Sequence, residues 1–110
     1  MIETGKLLQS IRQLIATRRY RIKVHAVRHM IEEGFSELHL LEVFEGQCKL
    51  LKHYPAEKRC LVVGYFYFTR TARSPLHIVC DYSMAGLIDI VTAYIPQRPW
   101  WITPTKRGRK

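Results

Sequence analysis

His25 and His29 stand four residues apart within Val24 to Glu33, a segment whose spacing predicts a helix, so the two rings project side by side. Two imidazoles so placed can act as an acid–base pair. Cleavage of RNA without a metal needs a base for the 2′-hydroxyl, an acid for the departing 5′-oxygen and cations for the charge that builds on the phosphate. His25 lies near the helix N-terminus, where the macrodipole disfavours added positive charge, which suits a base. Glu33, one turn beyond His29, suits His29 as the acid, and Arg28 brings positive charge to the same face. The spacing also matches two zinc ligands, but no Glu follows the first His as H-E-x-x-H requires and no third ligand is marked. No metal and no cofactor is expected. The alternative is an ordinary solvated helix face, with Arg28 and Glu32 forming a weak i,i+4 pair.

A second group mixes aromatic and basic residues: Tyr65, Tyr67, Arg70 and Arg73, followed by His77 and Asp81 on one side of the next strand. Aromatic rings stack on splayed bases and arginines track phosphates. Tyr65 and Tyr67 alternate with Phe66 and Phe68, so one of the two rows must be core. Eighteen Lys and Arg oppose nine Asp and Glu, a formal charge of +9. The basic residues gather at Arg18 to Lys23, at Arg70 to Arg73 and in the tail Lys106-Arg107-Gly108-Arg109-Lys110. Such a field favours a polyanion, and the charge does not distinguish RNA from an acidic protein.

These residues need a scaffold. Leu7, Leu8, Ile11, Leu14 and Ile15 recur at helical spacing and predict a first helix over 4–17. In the second helix Val24, Ala26, Val27, Met30 and Ile31 occupy one sector, expected to face the core, and His25, Arg28, His29, Glu32 and Glu33 occupy the other. Gly34 is placed to end that helix, Ser36 to cap a third, and Gly46 to stop it. From Cys48 onward the pattern turns to strands, Lys49 to Tyr54, Arg59 to Thr69, Leu76 to Tyr82 and Leu87 to Ile95, with turns short enough for an antiparallel meander. The expected architecture is α+β, N-terminal helices packed on a four-stranded antiparallel sheet. Pro96, Pro99 and Pro104 are expected to break further regular structure, Trp100-Trp101 to fold back on the body, and the basic tail, 100–110, to be mobile.

With 110 residues and 13.0 kDa, the chain has room for one core, so 1–99 read as a single domain. The most apolar stretch, Leu87 to Ile95, is short and carries Asp89, so no membrane span is expected. Glu3 and the early alternation of charge are unlike a signal peptide, which suggests a cytoplasmic address. Cys48, Cys60 and Cys80 are odd in number and form no C-x-x-C, so they read as buried thiols.

The run His25-Ala26-Val27-Arg28-His29-Met30-Ile31-Glu32-Glu33-Gly34-Phe35-Ser36 resembles H-A-x-x-R-M-x-x-R-G-I-[ST], the opening motif of a bacterial domain family of unknown function, number 4258. Gly64, Pro75-Leu76-His77-Ile78-Val79 with Arg73 before it, and Ile90-Val91-Thr92-Ala93-Tyr94 are similar to that family's later segments. Roughly Tyr20 to Pro99 is covered. His29 stands where the motif has the arginine before methionine, and Glu33 where it has the arginine before glycine. The family is similar in turn to the RelE and MqsR toxins, and the resemblance implies a RelE-like fold, an endoribonuclease that cuts messenger RNA, and a cognate antitoxin protein, often of zinc-finger type. It implies a groove between helices and sheet lined by His25, the Arg73 to His77 segment, Thr92 and Tyr94. The first helix lies outside the likeness and is placed to dock an antitoxin or a second copy.

Together these readings make His25 the base, His29 or His77 the acid, Thr92 and Tyr94 further catalytic candidates, and Arg28, Arg70, Arg73, Tyr65 and Tyr67 the RNA-binding set. The rival expectation is a catalytically silent module that binds RNA or an acidic protein through the same surface.

Overall fold

The computed structural model describes residues 4–96 and, beyond them, the backbone of 101–103 and 106–107. Helix α1 (Thr4–Ala16) leads to a short strand β1 (Tyr20–Ile22), then helices α2 (Val24–Glu33) and α3 (Glu37–Glu45). Strands β2 (Lys49–Tyr54), β3 (Arg59–Tyr67), β4 (Arg73–Asp81) and β5 (Ile88–Tyr94) follow. The class is α+β, but the sheet has five strands in the order β1-β5-β4-β3-β2. It is mixed, because β1 runs parallel to β5 while the other pairs are antiparallel. The expected four-stranded antiparallel sheet is therefore corrected at one edge. In the sequence Arg18 to Lys23 stands out only as a cluster of basic residues, because three residues are too few for an alternation to show. Tyr20 and Ile22 nonetheless pack against the core, and Arg21 turns to the opposite face to bind Asp89.

One layer of helices covers one face of the sheet. Leu7, Ile11 and Ile15 of α1, Leu40, Val43 and Phe44 of α3, and Cys60, Val62, Phe66, Leu76, Ile78, Cys80, Ile88, Ile90 and Ala93 of the strands form one buried cluster. The apolar face of α1 thus packs into the protein's own core. Gly64 marks the closest approach of α3 to the sheet: a Cβ there would lie 2.7 Å from Val43 Cγ1 and 3.1 Å from Cys48 Cβ. Cys60 and Cys80 are buried opposite each other, and Cys48 is half-buried, its thiol pushed up by desolvation.

Helix α2 ends as expected, with Gly34 in the left-handed region (φ 79°) and its N–H donated to the Met30 carbonyl. Ser36 caps α3, its N–H donated to Nδ1 of His39 at 3.0 Å. The seating of α2 departs from the apolar wheel. Ala26 is sealed, while Val24 is 74%, Val27 39% and Ile31 77% exposed. Two requirements outweigh hydropathy here. The small Ala26 lets the helix approach β5, and the Ile95 N–H just past the strand needs an acceptor, which Glu33 Oε1 supplies at 2.8 Å. The helix is turned so that His29 and Glu33 reach inward, and the larger aliphatics are left outside.

Beyond Pro96, β6 (Trp101–Thr103) pairs antiparallel with β7 (Lys106–Arg107), where no regular structure was expected. The expectations of a folded-back Trp100-Trp101 and a mobile tail fall outside the described residues. Among the described residues no helix is long and apolar enough to cross a membrane.

Candidate active site

The His25 and His29 rings meet edge to face, centroids 4.8 Å apart at 78°. His29 is backed by a carboxylate: Nδ1 lies 2.9 Å from Glu33 Oε2. An ionised carboxylate only accepts, so this contact requires the proton on Nδ1; the tautomer that meets it has its lone pair on Nε2. Glu33 is itself held, because its other oxygen takes the Ile95 N–H. A helix residue, its i+4 partner and the end of β5 thus form one rigid chain of hydrogen bonds. His25 and Arg28 are exposed beside it on α2.

The remaining candidates lie on the sheet. Ala93 and Ile95 pack into the core beneath the helices, so Thr92 and Tyr94 point to the opposite face. The register places Val63, His77 and Tyr94 in one row across β3, β4 and β5, Tyr65 beside Pro75 and Tyr67 beside Arg73. The Arg73 guanidinium sits over the Tyr65 ring, 4.1 Å from its centroid. Tyr67 is half-exposed, and Arg70 is exposed in the β3–β4 hairpin turn. Lys49 and Lys52 of β2 stand opposite Val63 and Leu61 and extend this face with two more cations. His77 is fully buried, its Nδ1 3.4 Å from the Tyr94 hydroxyl, so it has no open path to a substrate. Thr92 is half-buried opposite Val79.

The structure therefore brings the candidates together as two groups rather than one groove. His25, Arg28 and His29 belong to α2, while Tyr65, Tyr67, Arg73, His77, Thr92 and Tyr94 share the sheet face that the helices leave. The two groups meet at the end of β5, where Tyr94 holds His77 and the next N–H holds Glu33. Phe68, 50% exposed, meets Phe66 edge-on and lies near His39, in the same row as Phe66 and on the helix side of the sheet. No sequence signal pointed to Ile95 as the anchor of Glu33, because that bond spans 62 residues.

At the other end of the same face the acidic residues are matched. Arg21 binds Asp89 at 2.7 and 3.0 Å, Arg59 binds Asp81 at 3.0 Å, and the two carboxylates are neighbours across β4 and β5. Asp89 is held below the usual carboxylate range by its Arg21 hydrogen bond. For Asp81 burial pulls upward, but Ser83 and Arg59 together hold its carboxyl below that range. Among the described residues no group of three or more His, Cys, Asp or Glu is placed to hold a metal ion.

No known protein family, no curated protein and no solved structure matches this chain.

Proposed function

We propose that this protein is a metal-independent endoribonuclease of the RelE-like toxin type, with His25 and His29 as its acid–base pair. The observation that carries the reading is the contact of the two imidazoles with one of them fixed by Glu33. With Nδ1–H tied to carboxylate, neutral His29 presents Nε2 to take the 2′-hydroxyl proton, and His25 in its cationic form gives a proton to the leaving 5′-oxygen. This reverses the roles read from helix position alone. The 2′-oxygen bonds to phosphorus, the bond to the 5′-oxygen breaks, and the products carry a 2′,3′-cyclic phosphate and a 5′-hydroxyl. Arg28 offsets the charge on phosphorus. Bases of the bound strand stack along Tyr65 and Tyr67, with Arg70 and Arg73 on phosphates. Such an enzyme works in the cytoplasm, on messenger RNA, under the control of an antitoxin protein.

Labelled messenger RNA incubated with the purified protein in EDTA should yield fragments with cyclic phosphate ends. His25→Ala and His29→Ala should each slow cleavage by about 10²- to 10⁴-fold. Unchanged cleavage by the double variant would sink the assignment.

A second reading has its own support in the Arg73–Tyr65 stack, which forms a base-stacking platform without any catalytic group. On that reading the protein binds RNA and leaves it intact. Retardation of RNA on a gel without new ends, lost in Arg73→Ala, would favour it.

A further inference from the structure

At the end of the sheet away from the β3–β4 hairpin, a cavity of about 430 Å³ opens between α1, the β2–β3 turn and the β4–β5 loop. That volume lies within the range of small-ligand sites, roughly 300–1,000 Å³. Its wall is largely aliphatic, with Leu7 and Leu14 from α1 and Met84 from the β4–β5 loop. Four polar side chains interrupt it: Ser10, Lys58, and His53 with Tyr82, whose Nε2 and hydroxyl are 2.7 Å apart. No carboxylate lines the cavity among the described residues. Lys58 has a left-handed backbone, at φ 54°, and the Tyr82 N–H donates to its carbonyl at 2.9 Å. This backbone bond fixes the β2–β3 turn that carries Lys58 on the cavity wall.

An ammonium, an imidazole and a phenol beside aliphatic walls complement a molecule with an apolar body and a single anionic head. We propose that this cavity binds a small monocarboxylate of aliphatic or aryl-alkyl type, its carboxylate at Lys58 and the Tyr82–His53 pair, its body against Leu7, Leu14 and Met84. The site is separate from the candidate ribonuclease centre and does not depend on that reading. Charge-assisted hydrogen bonds to the head supply selectivity over an uncharged analogue.

The probe is octanoate, titrated into the intact protein while methyl resonances are followed by NMR. Saturable shifts are expected at Leu7, Leu14 and Met84, with octanol binding about tenfold more weakly or worse. Lys58→Gln should weaken octanoate by about tenfold. Ser10→Phe, at an exposed α1 position on the cavity wall, should abolish binding while leaving the rest of the methyl spectrum native. Absence of saturable shifts, octanol binding as tightly as octanoate, or shifts confined to the basic hairpin would each overturn the proposal.

Discussion

Glu33 does two jobs with two oxygens, and they are separable. Glu33→Gln keeps a carbonyl oxygen for the Ile95 N–H but offers no charge to His29, so α2 should stay seated while the imidazole loses its fixed tautomer. Cleavage should then fall at least about tenfold, in kcat more than in KM, with RNA affinity little changed. Single-turnover kinetics on a short RNA checks this, and an equal loss in KM alone would move Glu33 from catalysis to binding. Tyr20 provides a test of a different kind. Its hydroxyl donates to Glu37, and burial first, then that carboxylate, push its pKa from 10.0 to about 12. The folded state thus favours the neutral phenol; this contribution is complete below pH 10 and is lost as pH rises toward 12. Tm measured across that window should fall more steeply in the parent than in Tyr20→Phe.

The strands carry two further expectations. Gly64 has no room for a side chain between β3, Val43 of α3 and Cys48 just before β2. Gly64→Ala should therefore cost about 1–3 kcal/mol through overpacking, a drop in Tm of at least about 4 °C for a chain of this size. The row Arg21, Asp89, Asp81, Arg59 ties β1, β5, β4 and β3 together, and both carboxylates titrate below their ordinary 3.8. Their contribution is present above that value and disappears as pH falls through the lower folded values. Thermal melts between pH 5 and 2 should show that loss, and Asp89→Asn should flatten it.

Elements long enough to repeat were legible in the sequence. The spacing of Leu7, Ile11 and Ile15, the Gly34 stop, the Ser36 cap and the alternation around Phe66 all read true because each is a local pattern. What was not legible depends on distant partners. β1 is three residues whose meaning comes from Ile88 to Ile90, and the rotation of α2 comes from Ala26 and an N–H at Ile95. The site divides in the same way. The i,i+4 placement of His25, His29 and Glu33 was visible in the spacing, whereas the burial of His77 and the separation of helix and sheet groups required the register of three strands.

For the whole molecule, charge is distributed unevenly as well as in excess. Asp81 and Asp89 are paired off at one end, while Arg70, Arg73, Lys49 and Lys52 gather toward the hairpin end or along the same face. RNA affinity should fall steeply with salt, and removing Arg70 and Arg73 should reduce the slope of log K against log salt by about 0.7 per cation for a single strand. Filter binding across salt concentrations checks this, and an unchanged slope would place the RNA elsewhere on the surface.

The bond between Glu33 and Ile95 also has a meaning in time. A ribosome adding about 5–20 residues each second needs roughly 3–12 s to travel the 62 positions between them. Throughout that interval the nascent chain already holds both helix histidines but lacks the amide that steadies their carboxylate. The histidine pair therefore acquires its buttress only after the Ile95 amide, just past the last strand of the five-stranded sheet, has been made.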